Sequence, residues 1–138
     1  MTKLFATEAQ EQMAFIEWAD MYKITLYNPY YGLLKAETRY FISEFLFHIA
    51  NGELRDKVIA TKLKKMGVMQ GVADLFLMLA TPAYHGMFIE MKSRSKPSKL
   101  SKSQLAFAQK SKDQGYWYVV ARGWEEARDL TLEYLGTK

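Results

Sequence analysis

Two apolar runs separated by turn residues constrain this chain more than anything else in it. They read Val-Ala-Asp-Leu-Phe-Leu-Met-Leu from residue 72 and Met-Phe-Ile-Glu-Met-Lys from residue 87. Each run is about the length of a buried strand, and Thr81-Pro82 and Gly86 lie between them, which predicts a β-hairpin. Charge interrupts both runs: Asp74 opens the first, and Glu90 and Lys92 close the second. Ionised groups in strands this apolar are costly unless they are paired or bound to a cation. A hairpin symmetric about Pro82 places Asp74 directly across from Glu90, since each lies eight residues from it. Cross-strand partners share a face about 5 Å apart, and residues two apart on a strand also share a face. Asp74, Glu90 and Lys92 therefore converge. Two carboxylates that close repel unless something positive sits between them. Oxygen ligands with partial hydration suit Mg²⁺ or Mn²⁺.

Asp74 followed by Glu90-x-Lys92 resembles the core of the PD-(D/E)xK nuclease superfamily, and the surrounding residues narrow the resemblance to the VRR-NUC family, the virus-type replication-repair nucleases. Gly67-Val68-x-x-Gly71-Val72-x-Asp74-Leu75-Phe76-Leu77 resembles that family's Gly-Val-Pro-Asp strand opening. Gly86-x-Phe88-Ile89-Glu90-x-Lys92 resembles its catalytic strand, and Ser101-x-x-Gln104 and Gly115-Tyr116 the helix and strand that follow. The likeness covers residues 51–135. Ala73 stands where proline is usual; that proline carries no metal ligand, so the departure implies an altered start to the strand rather than lost activity. The resemblance implies an α/β fold with a three-layer, restriction-endonuclease-like core, a small mixed β-sheet flanked by helices. It implies metal-dependent hydrolysis of DNA phosphodiester bonds, selective for branched or junction DNA. Asp74, Glu90 and the Met91 backbone carbonyl would hold Mg²⁺ or Mn²⁺, with Lys92 orienting water or stabilising the transition state. Gln104 would orient the attacking water or the phosphate. The family also carries a glutamate on its first helix, ahead of a glutamine. Glu8-x-x-x-Gln12 fits that pattern as a catalytic residue and a holder of a second ion, with Glu11 the competing choice. A homodimer, and a phage or prophage origin in a bacterial host, are further family-level expectations.

A chain of 138 residues is the size of one domain, residues 1–138. No apolar run approaches the roughly 20 residues that a membrane helix needs. No signal-peptide pattern opens the chain, and cysteine is absent, which fits a reducing cytoplasm and excludes thiolate chemistry and disulfides. Net charge is only +4, but it is segregated: residues 1–54 hold four Lys/Arg against seven Asp/Glu, while residues 92–112 hold seven Lys/Arg and no acid. Such a face attracts a polyanion. It makes Arg94, Lys96, Lys99 and Lys102 candidate DNA contacts, against the plainer reading of a solvated lysine-rich loop and helix. Arg55, after the Asn51-Gly52 turn, is a further candidate for a phosphate.

Thr7 caps a helix over residues 8 to about 22, with Gln10 as capping-box partner. Its apolar side is Met13 and Ile16, with Phe15, Met21 and Trp18. Residues 24–36, with Asn28-Pro29 and Gly32 among tyrosines, carry loop chemistry. Residues 39–50 are ambiguous between helix and strand, ending in a strand over about residues 44–49. His48 there reads as a core or edge histidine, or as a contact near the scissile phosphate. Residues 53–66 form a basic helix closed by Gly67, with Val58, Ile59 and Leu63 inward. After a basic loop, Ser101 caps a helix to about residue 113, where Leu105, Ala106 and Phe107 begin the buried side. Gly115 ends it, residues 116–121 form a strand, and residues 125–135 form a last helix with Ala127, Leu130 and Leu135 toward the sheet. A helical crossover lets the Glu90 strand and the Tyr116 strand run parallel. Two rival readings remain: a nucleic-acid-binding module without catalysis, and an unrelated α/β protein in which Glu90–Lys92 or Asp74–Arg55 is a structural ion pair.

Overall fold

The Thr7 side chain accepts the N–H of Gln10 at 3.1 Å, and the Gln10 side chain accepts the N–H of Thr7 at 2.8 Å. This reciprocal box satisfies two amides that the first turn of a helix would leave unpaired, and it starts α1, Glu8–Ala19. The computed structural model describes residues 5–26, 39–50, 57–95 and 98–136. The buried stripe of α1 is Glu11, Phe15 and Ala19, spaced so that they stack on one face. Met13 falls on the opposite side and is 59% exposed, and Met21 lies beyond the helix, also exposed, so the apolar side expected for Met13 and Met21 is corrected. The other residues expected there do supply it: Phe15 and Trp18, whose rings stack at 5.8 Å, with Ile16 beside them.

After α1 comes a two-stranded antiparallel ribbon where a loop is expected: β1, Lys23–Thr25, pairs with β2, Arg39–Phe41, so that Ile24 faces Tyr40. The Asn28-Pro29 and Gly32 turn chemistry lies outside the described residues. A short 3-10 turn, Ile42–Glu44, resolves the helix-or-strand ambiguity in favour of an irregular lead-in. It delivers the chain to the main sheet at β3, Leu46–His48.

That sheet has four strands in the order β3-β4-β5-β6, with β4 at Leu75–Leu77, β5 at Met87–Lys92 and β6 at Trp117–Arg122. β3, β4 and β5 pair antiparallel, and β5 and β6 run parallel. Leu75 faces Ile89 and Leu77 faces Met87. The same register continued by one residue sets Asp74 opposite Glu90, as the symmetry about Pro82 requires. Alternation along the strands then sorts the two faces. Leu75, Leu77, Met87, Ile89, Met91 and Ala121 point to a core shared with α1 and with α4, Trp124–Tyr134. Each of these side chains is essentially fully buried; truncating a leucine such as Leu75 to alanine would cost about 2–5 kcal/mol. Phe76, Phe88, Glu90, Lys92 and Tyr118 point the other way, toward α3, Lys102–Asp113. Helices on both faces of a mixed sheet make the three-layer α/β plan.

Two helix faces differ from expectation. α2, Lys57–Lys65, buries none of its residues; Val58 is 79% exposed and Leu63 only half-buried. The inward placement of Val58, Ile59 and Leu63 is therefore corrected: the helix has an apolar side, but it stands away from the main sheet. In α3, Leu105 and Ala106 are exposed, and burial begins instead at Phe107, Ala108 and Ser111. Arg55, Lys96 and the Asn51-Gly52 turn lie outside the described residues.

Gly71 fixes where α3 begins relative to the hairpin. Its φ is +85°, and a Cβ there would overlap the Ser103 carbonyl group. Gly71→Ala is expected to cost about 2–3 kcal/mol and to displace the first turn of α3. Urea denaturation should show the loss.

Candidate active site

The face of the sheet that looks toward α3 has two halves. One is aromatic: Phe76 and Phe88 lie 4.7 Å apart, and Phe107 of α3 meets Phe88 edge-on at 5.0 Å. The other half carries Asp74, Glu90 and Lys92. β5 is bounded on both sides, so these charges sit at the level of the core: Glu90 is 5% exposed and Lys92 9%.

Each carboxylate is held by a defined donor. One oxygen of Asp74, Oδ2, accepts the backbone N–H of Met91 at 2.7 Å. β4 begins only at Leu75, so the Asp74 side chain takes up a β5 amide just past the end of the ladder. The Asp74 carbonyl accepts the N–H of Ile49 at 2.8 Å, and Nδ1 of His48 lies at the same distance from it. Glu90 Oε1 accepts a bond from Gln104 Nε2 at 3.0 Å and has Lys92 Nζ at 3.9 Å. Glu90 Oε2 is buried and has no hydrogen-bond partner among the described residues.

Gln104 reaches Glu90 because of a second capping box. Ser101 Oγ accepts the N–H of Gln104 at 3.2 Å, and Gln104 Oε1 accepts the N–H of Ser101 at 2.8 Å. With its oxygen occupied by the backbone, the amide presents only N–H donors to the site. The motif Ser101-x-x-Gln104 therefore both starts α3 and aims a donor at a carboxylate. The two duties are separable, since glutamate also completes a capping box. Gln104→Glu should keep the helix start, yet place a like charge against Glu90 and lower thermal stability most above neutral pH, which melting curves across pH would show. Gln104→Ala should remove both the cap and the donor, with a stability loss of about 1 kcal/mol.

Burial pushes the Glu90 carboxyl up to about 8; the Asp74 charge adds to the rise, Lys92 opposes it, and Glu8 contributes a smaller push. Asp74 is also raised, chiefly by burial, against the Met91 amide and the charges of His48 and Lys92, which pull it down. The pair is short of positive charge. Its anionic form needs more than Lys92 to be comfortable.

Glu8 and Glu11 part company. Glu8, the first residue of α1, is exposed and near enough for its charge to act on Glu90. Glu11 is 2% exposed and turned to another purpose: Oε1 accepts Arg94 Nη2 at 2.8 Å, and Oε2 accepts the N–H of Trp124 at 2.9 Å. Gly123 lies against this pair with φ +91°, and a Cβ there would strike both side chains. Arg94, expected to contact phosphate, is thus engaged by Glu11 and, at 3.6 Å, by Glu125. Lys99 and Lys102 are exposed. Met91 is buried in β5 directly beside the acids, with its amide on Asp74.

Sequence reasoning did not single out Tyr118. Its hydroxyl is buried without a hydrogen-bond partner among the described residues, and burial, then the Glu90 and Asp74 charges, push it upward. The pointer would have been the parallel register, Phe88 beside Tyr118 and Glu90 beside Val120, which puts Tyr118 on the face that carries Glu90. Among the described residues no third acid, histidine or cysteine joins Asp74 and Glu90 closely enough to form a metal cage of side chains alone.

A mixed sheet between helices, with an aspartate and a glutamate facing one another and a lysine two residues past the glutamate, has the layout of a nuclease-type α/β core. The chain belongs to the VRR-NUC family: the VRR-NUC domain model matches residues 6–125. The match reaches back through α1, well beyond the residue 51 at which the sequence likeness begins. A solved structure described as a VRR_NUC domain protein superposes with a TM-score of 0.75 at 24% identity, covering 98% of this chain and 93% of that one. It is similar in fold. Among curated proteins no match is found. Among the described residues no helix is long and apolar enough to cross a membrane.

Proposed function

We propose that this chain is a Mg²⁺- or Mn²⁺-dependent endonuclease that hydrolyses phosphodiester bonds in branched DNA. The observation that carries this reading is Glu90 Oε2, a buried carboxylate oxygen with no geometric hydrogen-bond partner among the described residues, on a residue whose other oxygen is already engaged by Gln104 and Lys92. Buried polar atoms are rarely left unsatisfied, and an oxygen of this kind beside a second acid suits a hard divalent cation. Asp74, Glu90 and the Met91 carbonyl would hold the ion, with Glu8 available for a second. A bound ion of this type lowers the pKa of its water and neutralises charge on the phosphoryl oxygens.

The chain's own groups do the rest. Lys92 is fixed by its strand and by Glu90, so its ammonium is preorganised for the attacking water or for the charge that builds on the phosphate. Gln104 holds Glu90 in one rotamer and offers a remaining N–H toward the phosphate. The aromatic floor of Phe76, Phe88 and Phe107 excludes water from beneath the carboxylates and strengthens each electrostatic contact above it. Lys99, Lys102 and the lysines of α2 would bind flanking phosphates. DNA affinity should accordingly fall steeply between about 50 and 200 mM salt, as it does for proteins that neutralise several phosphates; anisotropy titrations at several salt concentrations measure the slope.

We read the functional unit as a homodimer, since a branched substrate presents more than one strand to a small domain. The edge strand β3, with Phe47 47% exposed, and the last helix are the candidate contacts; light scattering at assay concentration tests this, and a monomer would count against it. The cleavage test is a panel of branched, nicked, single-stranded and linear DNA with Mg²⁺ and Mn²⁺. Metal-independent binding with no product in any lane would favour the non-catalytic module.

A further inference from the structure

Between α2 and the start of α3 lies an open groove of about 910 Å³. Leu63, Val68 and Met69 form its apolar wall, while Lys64, Ser103 and Gln104 form its polar one. Gln104, the side chain that donates to Glu90, lines this groove, so one residue joins the groove to the carboxylates. Thr61 lines this groove and also a shallower one, of about 480 Å³, walled by Lys57, Lys62 and Lys65. From Gln104 the lining thus runs past an apolar recess to Thr61 and a helix face covered in lysine. That helix carries no acid, none of its own residues is buried, and Met69 just beyond it is 51% exposed.

These features match one strand of nucleic acid better than any other occupant. The lysines complement phosphates. The apolar wall complements the face of a base, which binds by stacking and packing whatever its identity. The volume falls in the range of about 300–1,000 Å³ typical of sites that enclose small ligands. A base still paired within a duplex is stacked on both sides and must leave the stack before it can enter such a recess. Methionine adapts to irregular shapes, so the wall suits any of the bases.

We propose that the α2–α3 groove seats one unpaired nucleotide of the substrate strand beside the bond to be cut. Its base lies on Leu63, Val68 and Met69, and its flanking phosphates lie on Lys64 and the lysines along α2. This rests on the nuclease reading and supplies a physical source for selectivity toward branched DNA, because a flap or junction offers the unpaired base that a continuous duplex does not.

The test uses fluorescence anisotropy of the full chain in Ca²⁺, with a labelled forked duplex and its fully paired counterpart. The fork should bind roughly tenfold tighter, and removing one base beside the fork point, by an abasic nucleotide, should lose about tenfold. Met69→Glu, at an exposed position, should erase the fork advantage. Equal affinity for fork and duplex, abasic substitutions without effect at every unpaired position, or a fork advantage that survives Met69→Glu would each overturn the assignment. Binding is read without hydrolysis, so the two readings fail separately. A fork advantage removed by Met69→Glu in a protein that cuts nothing would end the nuclease reading and leave the groove assigned. Cleavage of forked DNA at an unchanged rate and affinity by Met69→Glu would do the reverse.

Discussion

Lys92→Ala is expected to slow cleavage about 100- to 1,000-fold, the usual loss when a preorganised stabiliser of transition-state charge is removed. The ammonium is 3.9 Å from Glu90 Oε1 and almost inaccessible to solvent, so bulk cations cannot stand in for it. Circular dichroism should show the fold retained, and the salt slope of DNA binding should stay near wild type, because a residue enclosed by the sheet adds little to the outer phosphate contacts. Glu90→Gln should be as inactive for a different reason: it removes the carboxylate's charge while leaving Gln104 an acceptor. Single-turnover kinetics in metal-titrated buffer separate chemistry from binding. Wild-type rates in Lys92→Ala, Glu90→Gln and Asp74→Asn together would remove the site assignment.

In metal-free buffer, wild-type stability should fall as pH rises, and Glu90→Gln should become the more stable protein. The sign follows from the direction of the shift. The folded-state Glu90 carboxyl is pushed up to about 8, above the ordinary 4.5 that serves for the unfolded chain. The unfolded chain thus ionises Glu90 first. The stability tied to this group is fully present below about pH 4.5 and is lost progressively as pH rises through about 8. Asp74, also raised, acts in the same direction. Between pH 5 and pH 8 the melting temperature of the wild type should drop by roughly 10 °C relative to Glu90→Gln. Millimolar Mn²⁺ should close much of that gap at pH 8, since a cation bound only by the folded state stabilises it by mass action. A flat difference between the two proteins across this range would mean that Glu90 is not the strained group, and a structural Glu90–Lys92 pair indifferent to Mn²⁺ would then be favoured.

The hairpin was legible because three charged residues interrupt two otherwise apolar runs, and a single proline marks their midpoint. Period-two alternation then has only one register that brings Asp74 and Glu90 together, and β4 and β5 adopt it. The two capping boxes were equally readable, since Thr7 with Gln10 and Ser101 with Gln104 are local in sequence. What sequence could not supply is what covers a face. α2 has the lysine-and-aliphatic pattern of an amphipathic helix, but a pattern identifies the apolar side and not whether anything packs on it. In α1 the true stripe contains Glu11, and a charged residue in the buried row hid the period and promoted Met13 in its place. Arg94 looked like one more cation in a basic loop because the acid that binds it lies 83 residues earlier. Tyr118 borders the site through a strand register that no local pattern encodes. The three-residue strands β1 and β2 are too short to show alternation at all.

The buried carboxylate of Glu11 joins residues near the beginning, the middle and the end of the chain: it grips Arg94 just after the Glu90 strand and the amide of Trp124 where the last helix starts. Trimming the amino-terminal helix would therefore strip more than a peripheral segment. It would leave a guanidinium and a backbone amide facing an empty slot at the rim of the sheet, so the smallest autonomous version of this fold has to keep its first helix, and a fragment beginning at the hairpin should not fold.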